Sequence, residues 1–109
     1  MGALNELRDK CHAMAREKGW YEGGDRNIGE QLMLIVTEVA EAMEEHRDGE
    51  MKTRFSGIGK PEGFPIEIAD ILIRCFDLAG FLGIDLDDAV WEKMQYNATR
   101  GHRHGGKLA

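Results

Sequence analysis

Two pairs of carboxylates in this sequence share one spacing. Glu38 and Glu41 stand three residues apart in TEVAEAMEEH, and Glu67 and Asp70 repeat that spacing in PIEIADILIRCFDLAG. Residues at i and i+3 lie one turn apart on the same face of a helix. Carboxylates brought together in this way repel each other unless a cation lies between them. Because Mg²⁺ prefers oxygen ligands and keeps room for phosphate, the pattern indicates a metal site.

The second pair lies in a helix whose surface is mostly apolar. Its polar strip is narrow and holds Glu67, Asp70, Arg74 and Asp77. A helix this apolar is packed on several sides, so the strip is expected to face a crevice in which Arg74 pairs with one carboxylate. The first pair is less decisive, because it lies with Glu45 opposite the apolar stripe of its helix and also fits a solvated face.

A basic cluster near the end of the chain is a second candidate for substrate binding. Lys93, Asn97 and Arg100 fall on one face of a helix, and a basic tail that includes Lys107 follows them. Lysine and arginine hold phosphate oxygens well, but cations at a helix C-terminus also complement its dipole. Trp20, in the loop after the first helix, can stack on a base or staple the loop to the core. On the residues alone, both alternatives stay open.

Four helices are predicted to position these residues. They span about 3–18, 28–48, 65–82 and 86–100, before the tail 101–109. Asn27 and Asp85 are candidate N-caps, and Gly83 is a candidate C-cap. The two long central helices are expected to run antiparallel within an all-α protomer like a four-helix bundle. The segment 49–64 between them is predicted to be a polar, glycine-rich loop, and no strand is predicted.

Composition and charge limit the classes of function. The chain has 109 residues, of which 42% are hydrophobic and 31% charged, with a formal net charge of −6, and we expect one domain over 1–109. The acidic balance disfavours binding to polymeric nucleic acid or to an anionic membrane. Without a secretory signal or a run of ~18 apolar residues, the expected location is cytoplasmic. His12 has no partner at a metal-ligand spacing and is expected at the surface.

In their order along the chain, these motifs are similar to those of the all-α MazG-like nucleoside triphosphate pyrophosphohydrolases. The resemblance runs from about Gly19 to Lys107 and is carried by RNIGEQLMLIVTEVAEAMEEHRDG, GFPIEIADILIRCFDLAGFLGIDLDDAV and EKMQYNATRGHRHGGK. The sequence departs from many relatives at Gly101, which follows Arg100 where those relatives have proline.

The resemblance implies a Mg²⁺-dependent enzyme, with Mn²⁺ able to replace the metal, that cleaves a (deoxy)nucleoside triphosphate between its α and β phosphates. It implies that Glu38, Glu41, Glu67 and Asp70 bind the metal, and that Glu41, with Glu38, orients or deprotonates the attacking water. The expected substrate contacts are Lys93, Asn97, Arg100, Lys107 and Trp20. The resemblance also implies a homodimer or a homotetramer.

Two alternatives stay open on the sequence. The first is an enzyme of the same architecture that acts on phosphoribosyl-ATP. The second is a helical binding or regulatory module without catalysis, whose carboxylates are simply solvated. The presence of both carboxylate pairs together with the basic helix face argues against the second alternative.

Overall fold

The structure is a computed structural model that describes residues 2–24 and 26–101. Its elements, in chain order, are α1 (Ala3–Glu17), α2 (Ile28–Arg47), β1 (Arg54–Phe55), β2 (Pro61–Glu62), α3 (Phe64–Leu82) and α4 (Leu86–Thr99). The prediction of a mostly helical chain is confirmed, and each helix begins and ends within one residue of its predicted bounds. No helix in the described part of the chain combines the length and the apolar character that a bilayer crossing requires.

Local chemistry sets the ends of the helices. The side chain of Asn27 accepts a hydrogen bond from the N–H of Glu30 at 2.9 Å, and Asp85 accepts one from Asp88 at 3.0 Å. Both bonds satisfy N–H groups that have no partner within their helix. Gly83 ends α3 with a φ of 67°, a left-handed conformation that glycine adopts without steric cost.

α3 is the central helix, because α1 and α2 both pack along it. It approaches α1 most closely at Gly80, where a Cβ atom would lie 2.5 Å from the Cβ of His12. Only a residue without a side chain fits at this distance. Gly80 therefore sets how near the two helices can lie.

α2 and α3 run antiparallel, as their ionisable side chains show. Glu38 accepts a hydrogen bond from Arg74 at 2.9 Å. Glu41, one turn later in α2, contacts Glu67, which lies two turns earlier in α3. A residue later in α2 therefore contacts a residue earlier in α3, as in an antiparallel pair.

α4 is tied to the start of α1 by reciprocal capping. Gly2 precedes α1 and provides no side-chain cap, but Asp87 of α4 accepts hydrogen bonds from the N–H groups of Leu4 and Asn5 at 3.1 Å each. In return, the side-chain oxygen of Asn5 accepts a bond from the N–H of Leu86 at 2.8 Å. Each helix thereby satisfies N–H groups in the first turn of the other.

A short hairpin lies within the segment 49–64, so the prediction of no strand is wrong. Arg54 pairs with Glu62, and Phe55 with Pro61, in an antiparallel ladder. Arg54 also binds Glu45 at 2.9 Å and so attaches the hairpin to the end of α2. Strands of two residues are too short to show the alternating pattern from which strands are predicted.

The apolar stripe of α2 faces outward in the protomer. This α2 stripe consists of Ile28, Leu32, Val36, Val39 and Met43. Each of these residues is 45–53% exposed. The inward face carries Gln31, Glu38 and Ala42, which are 5–8% exposed. The accessible surface is 8013 Å², whereas a compact monomer of this mass exposes about 6,000 Å². The radius of gyration is 16.6 Å, against about 13 Å for a compact domain of this length.

Asn5→Ala tests the reciprocal caps. The substitution removes a buried amide and leaves the N–H of Leu86 without its acceptor, so we expect a loss of about 1–2 kcal/mol in the free energy of unfolding. Urea unfolding followed by circular dichroism measures the change. Glu92→Ala, at an exposed position of α4, is the matched control and should leave the midpoint unchanged. Equal midpoints for both variants would contradict the role of the caps.

Candidate functional site

A cluster of carboxylates forms between α2 and α3. Glu38, Glu67 and Asp70 each offer an oxygen, and these oxygens all lie within 4.8 Å of one another. Glu41 contacts Glu67, and its own side chain is exposed. Antiparallel packing of the two helices thus brings together the two pairs that share a spacing in the sequence.

Crowding of like charges perturbs the protonation of this cluster. Burial, and after it the nearby Glu41, Asp70 and Glu38, raises the pKa of Glu67 to about 7. Burial and the charge of Glu38 also raise the pKa of Asp70. The Oε2 atom of Glu67 is buried and has no hydrogen-bond partner. A buried acceptor in this state needs a proton or a cation.

Among the described residues, two cations act on the cluster. Arg74 donates to Glu38 at 2.9 Å, as its place in the polar strip predicts, and Arg74 and Lys60 each partly offset the rise in the pKa of Asp70. Because Glu38 is buried, the alternative of a solvated face does not hold for it. In the part of the chain that the structure describes, four carboxylates face these two cations, so negative charge is in excess. This set of oxygen donors fits Mg²⁺ or Mn²⁺.

Two further carboxylates that extend the predicted pairs are held elsewhere. Glu45 is bound by Arg54, whereas Asp77 accepts a hydrogen bond from the Nδ1 atom of His12 at 2.9 Å. The side chain of His12 is only 16% exposed, so the expectation of a surface residue is wrong. The reason is a contact between α1 and α3 that no spacing within α1 reveals.

A cavity of about 600 Å³ lies beside the cluster, and Glu38, Asp70 and Arg74 form part of its wall. Trp20 also lines this cavity and is 53% exposed, so its ring is accessible to a ligand. Its neighbour Tyr21 is the residue that fastens the loop, because it is buried. The exposed ring of Trp20 therefore does not staple the loop to the core, and its stacking on a base stays a prediction.

Sequence reasoning missed the contribution of α1 to this cavity. α1 and its C-cap residue contribute to the lining Leu7, Lys10, Cys11, Met14, Ala15 and Lys18. The apolar members provide a surface for a flat ring, and the two lysines add positive charge to the wall. These residues show only ordinary helical spacing in the sequence. Their place beside the cluster comes from the packing of α1 on α3.

The predicted basic face of α4 lies apart from the cavity. Lys93, Asn97 and Arg100 are not among its lining residues, and α4 packs mainly on α1. Lys93 and Arg100 lie over the ring of Tyr96, at 5.0 and 5.5 Å from its centroid. Lys107 lies outside the described residues.

Comparison with known proteins gives one partial similarity to report. A dATP/dGTP diphosphohydrolase of Cyanophage S-2L is 44% identical to this chain over 36 residues, which cover 33% of this chain and 34% of that protein. The matched stretch thus spans about a third of the length of that relative. No protein-family model matches the chain, and no solved structure matches it significantly. Membership of the MazG-like family stays a prediction.

Glu67→Gln tests the crowding of the cluster in metal-free protein. The pKa of Glu67 is about 7 in the folded chain and near 4.5 in the absence of its neighbours, so between these values the folded state holds a proton that the unfolded state has lost. Stability in EDTA should therefore fall as pH rises from about 4.5 to 7. Glutamine cannot ionise, so the variant should lose this slope and gain about 1 kcal/mol at pH 8, a value that allows for solvent screening.

Unfolding in urea with EDTA at several pH values between 5 and 8 measures this slope. Glu92→Gln, an exposed substitution of the same kind on α4, should keep the slope of the wild type. An identical slope in Glu67→Gln would show that Glu67 does not carry the proton.

Proposed function

We propose that this protein is a nucleotide pyrophosphohydrolase that cleaves a (deoxy)nucleoside triphosphate between its α and β phosphates, releasing a nucleoside monophosphate and pyrophosphate. The observation that carries the proposal is the cluster of Glu38, Glu67 and Asp70 with Glu41 beside it. The similarity to a dATP/dGTP diphosphohydrolase supports a nucleotide-hydrolysing enzyme and favours purine deoxynucleotides as substrates. The finer assignment to the MazG-like type is part of this proposal.

The proposed cofactor is Mg²⁺, with Mn²⁺ as a substitute. Glu38, Glu67 and Asp70 would hold it with Glu41, because the first three carboxylates converge, Glu41 contacts Glu67, and the buried Oε2 atom of Glu67 lacks a partner. When bound, such a cation supplies charge stabilisation to phosphate oxygens and makes water more acidic.

Glu41 is the proposed general base. It is exposed and can meet a water molecule, whereas Glu38 is buried and accepts a hydrogen bond from Arg74. A base must reach the proton that it removes, so exposure favours Glu41 for that step. Glu38 would orient the site, since Arg74 fixes one of its oxygens.

The cavity beside the cluster is the proposed site of the base and the sugar. Trp20 offers an accessible ring for stacking, and Arg26 lies 5.5 Å from the centroid of that ring. Asp70 and Arg74 line the same cavity, so a nucleotide whose base lies near Trp20 would extend its phosphates toward the cluster.

We further propose that copies of this chain associate through the α2 stripe, as a homodimer or a homotetramer. The protomer exposes roughly 2,000 Å² more than a compact monomer of its mass, and a standard interface covers about 800 Å² on each partner. α4 has no buried residue of its own. Association would cover the face of α4 that α1 leaves exposed and bring Lys93, Asn97 and Arg100 toward the phosphates in a neighbouring copy.

Pyrophosphate release tests the reaction. We expect release from deoxyribonucleoside triphosphates, dATP and dGTP first, with Mg²⁺ or Mn²⁺ and none with EDTA. Glu41→Gln should lower kcat by roughly 100-fold or more, the usual contribution of a general base, without changing helical content. Glu44→Gln, an exposed substitution on the same helix, is the matched control and should keep full activity.

The same assay separates the alternatives. Ribonucleotides and phosphoribosyl-ATP belong in the panel. Preference for phosphoribosyl-ATP would favour an enzyme of the same architecture that acts on that compound. Stabilisation by Mg²⁺ without release from any substrate would keep the metal site and point to a substrate outside the panel. Neither release nor a metal effect would favour the binding module. Hydrolysis in EDTA, or a fully active Glu41→Gln variant, would contradict the proposed mechanism.

Val36→Glu tests the association. A charge at the centre of the α2 stripe should be tolerated in a monomer but not in an interface, so the variant should elute as a smaller species with light-scattering mass near that of one chain. Ile58→Glu, at the exposed turn of the hairpin, is the matched control and should keep the mass of the wild type. A wild type that is itself monomeric at high concentration would refute the interface.

A further inference from the structure

A buried polar network lies on α3 two turns beyond the carboxylate cluster. At its centre is Asp77, which lines the cavity and has a side chain only 13% exposed. Its Oδ1 atom accepts hydrogen bonds from the Nδ1 atom of His12 at 2.9 Å and from the hydroxyl of Tyr21 at 3.0 Å. That hydroxyl accepts a bond from the side-chain amide of Gln31 at 3.0 Å. One carboxylate therefore joins α1, the loop after it, α2 and α3.

Chemistry fixes the direction of each of these bonds. An ionised carboxylate only accepts, so His12 and Tyr21 both donate to Asp77. Arg16 donates to the Nε2 atom of His12 at 2.9 Å, which places the proton of the neutral ring on Nδ1. Burial, and then the hydrogen bond to Asp77, raises the pKa of the Tyr21 hydroxyl, so this group keeps its proton at neutral pH.

These contacts distinguish Asp77 from the carboxylates of the cluster. Asp77 does not belong to the group of converging oxygens formed by Glu38, Glu67 and Asp70. Its Oδ1 atom is already shared by two donors, whereas the Oε2 atom of Glu67 has none. The geometry therefore suits Asp77 to holding other side chains.

Tyr21 fastens the segment that carries two residues of the cavity wall. It is buried, while its neighbour Trp20 is exposed, and Arg26 lies 5.5 Å from the ring of Trp20 and 5.8 Å from that of Tyr21. Gly23 and Gly24 follow with φ angles of 89° and 115°, a region that glycine enters freely. The N–H of Trp20 is bonded to the oxygen of Ala15 at 3.0 Å, and the buried side chain of Tyr21 adds an anchor to this permissive segment.

We infer that Asp77 is a positioning residue: through Tyr21 it holds Trp20 and Arg26 at the cavity and thereby sets how tightly the base of a nucleotide binds. Its effect on substrate rests on the proposed function, whereas its effect on Trp20 does not. Without the anchor, the ring of Trp20 would have to be ordered by the ligand, and that entropy cost weakens binding.

Asp77→Asn in a Trp91→Phe background tests the inference. The chain has two tryptophans, so this background leaves Trp20 as the only source of tryptophan emission. We expect stronger quenching by acrylamide and lower anisotropy in Asp77→Asn. We also expect KM for the best nucleotide to rise roughly tenfold, the worth of one hydrogen bond to a charged group, with kcat changed less than about twofold.

Three controls accompany this variant. Tyr21→Phe removes only the hydroxyl and should reproduce both effects, and the double variant should be no worse than either single one because the two groups act as a unit. Asp88→Asn, at an exposed position of α4, should change neither readout. If Asp77→Asn loses its helical circular dichroism, Tyr21→Phe carries the test alone.

The two readouts keep the inference apart from the proposed function. Unchanged quenching and anisotropy in the anchor variants would overturn the inference whether or not the wild type hydrolyses nucleotides. Altered emission with an unchanged KM would overturn the part of Asp77 in binding. A wild type inactive on every nucleotide would count against the proposed function, and the emission of Trp20 would then decide the inference alone.

Discussion

Repulsion among four carboxylates is the constraint on the contact between α2 and α3. The structure offsets it with one direct ion pair, Arg74 to Glu38, and with the more distant charge of Lys60. Burial, together with the repulsion that these cations do not offset, raises the pKa of Glu67 to about 7, so this side chain holds a proton near neutral pH. A divalent cation would compete with that proton. Binding of such a cation would therefore be linked to the packing of the two helices, because the same charges would govern both.

The polar side chains of α3 lie along one strip of the helix, and each makes a different contact according to its position. Asp70 belongs to the cluster, Arg74 neutralises a carboxylate across the helix pair, and Asp77 fastens the loop after α1. All three line one cavity. One helix thus carries both the cluster and the anchor of the loop, with α2 bonded to Arg74 and α1 bonded to Asp77.

The sequence predicted those features that local chemistry determines. Helix ends follow from caps such as Asn27 and Asp85, and the i, i+3 spacing placed the cluster on facing helices. The outward face of α2 was not predicted, because an apolar stripe looks the same whether it covers a core of its own chain or that of another. Contacts between distant residues were missed for a similar reason: nothing near His12 or Tyr21 in the sequence points to Asp77.

The close approach at Gly80 makes one position of α3, outside the carboxylate cluster, unusually intolerant. A methyl group there would meet the Cβ atom of His12 and the backbone oxygen of Arg8, so even alanine would push α1 outward. That movement would shift the part of the cavity wall formed by α1 and draw His12 away from Asp77. A survey of substitutions should therefore find an intolerant glycine outside both the carboxylate cluster and the lining of the cavity, and such a result would reflect the spacing of two helices.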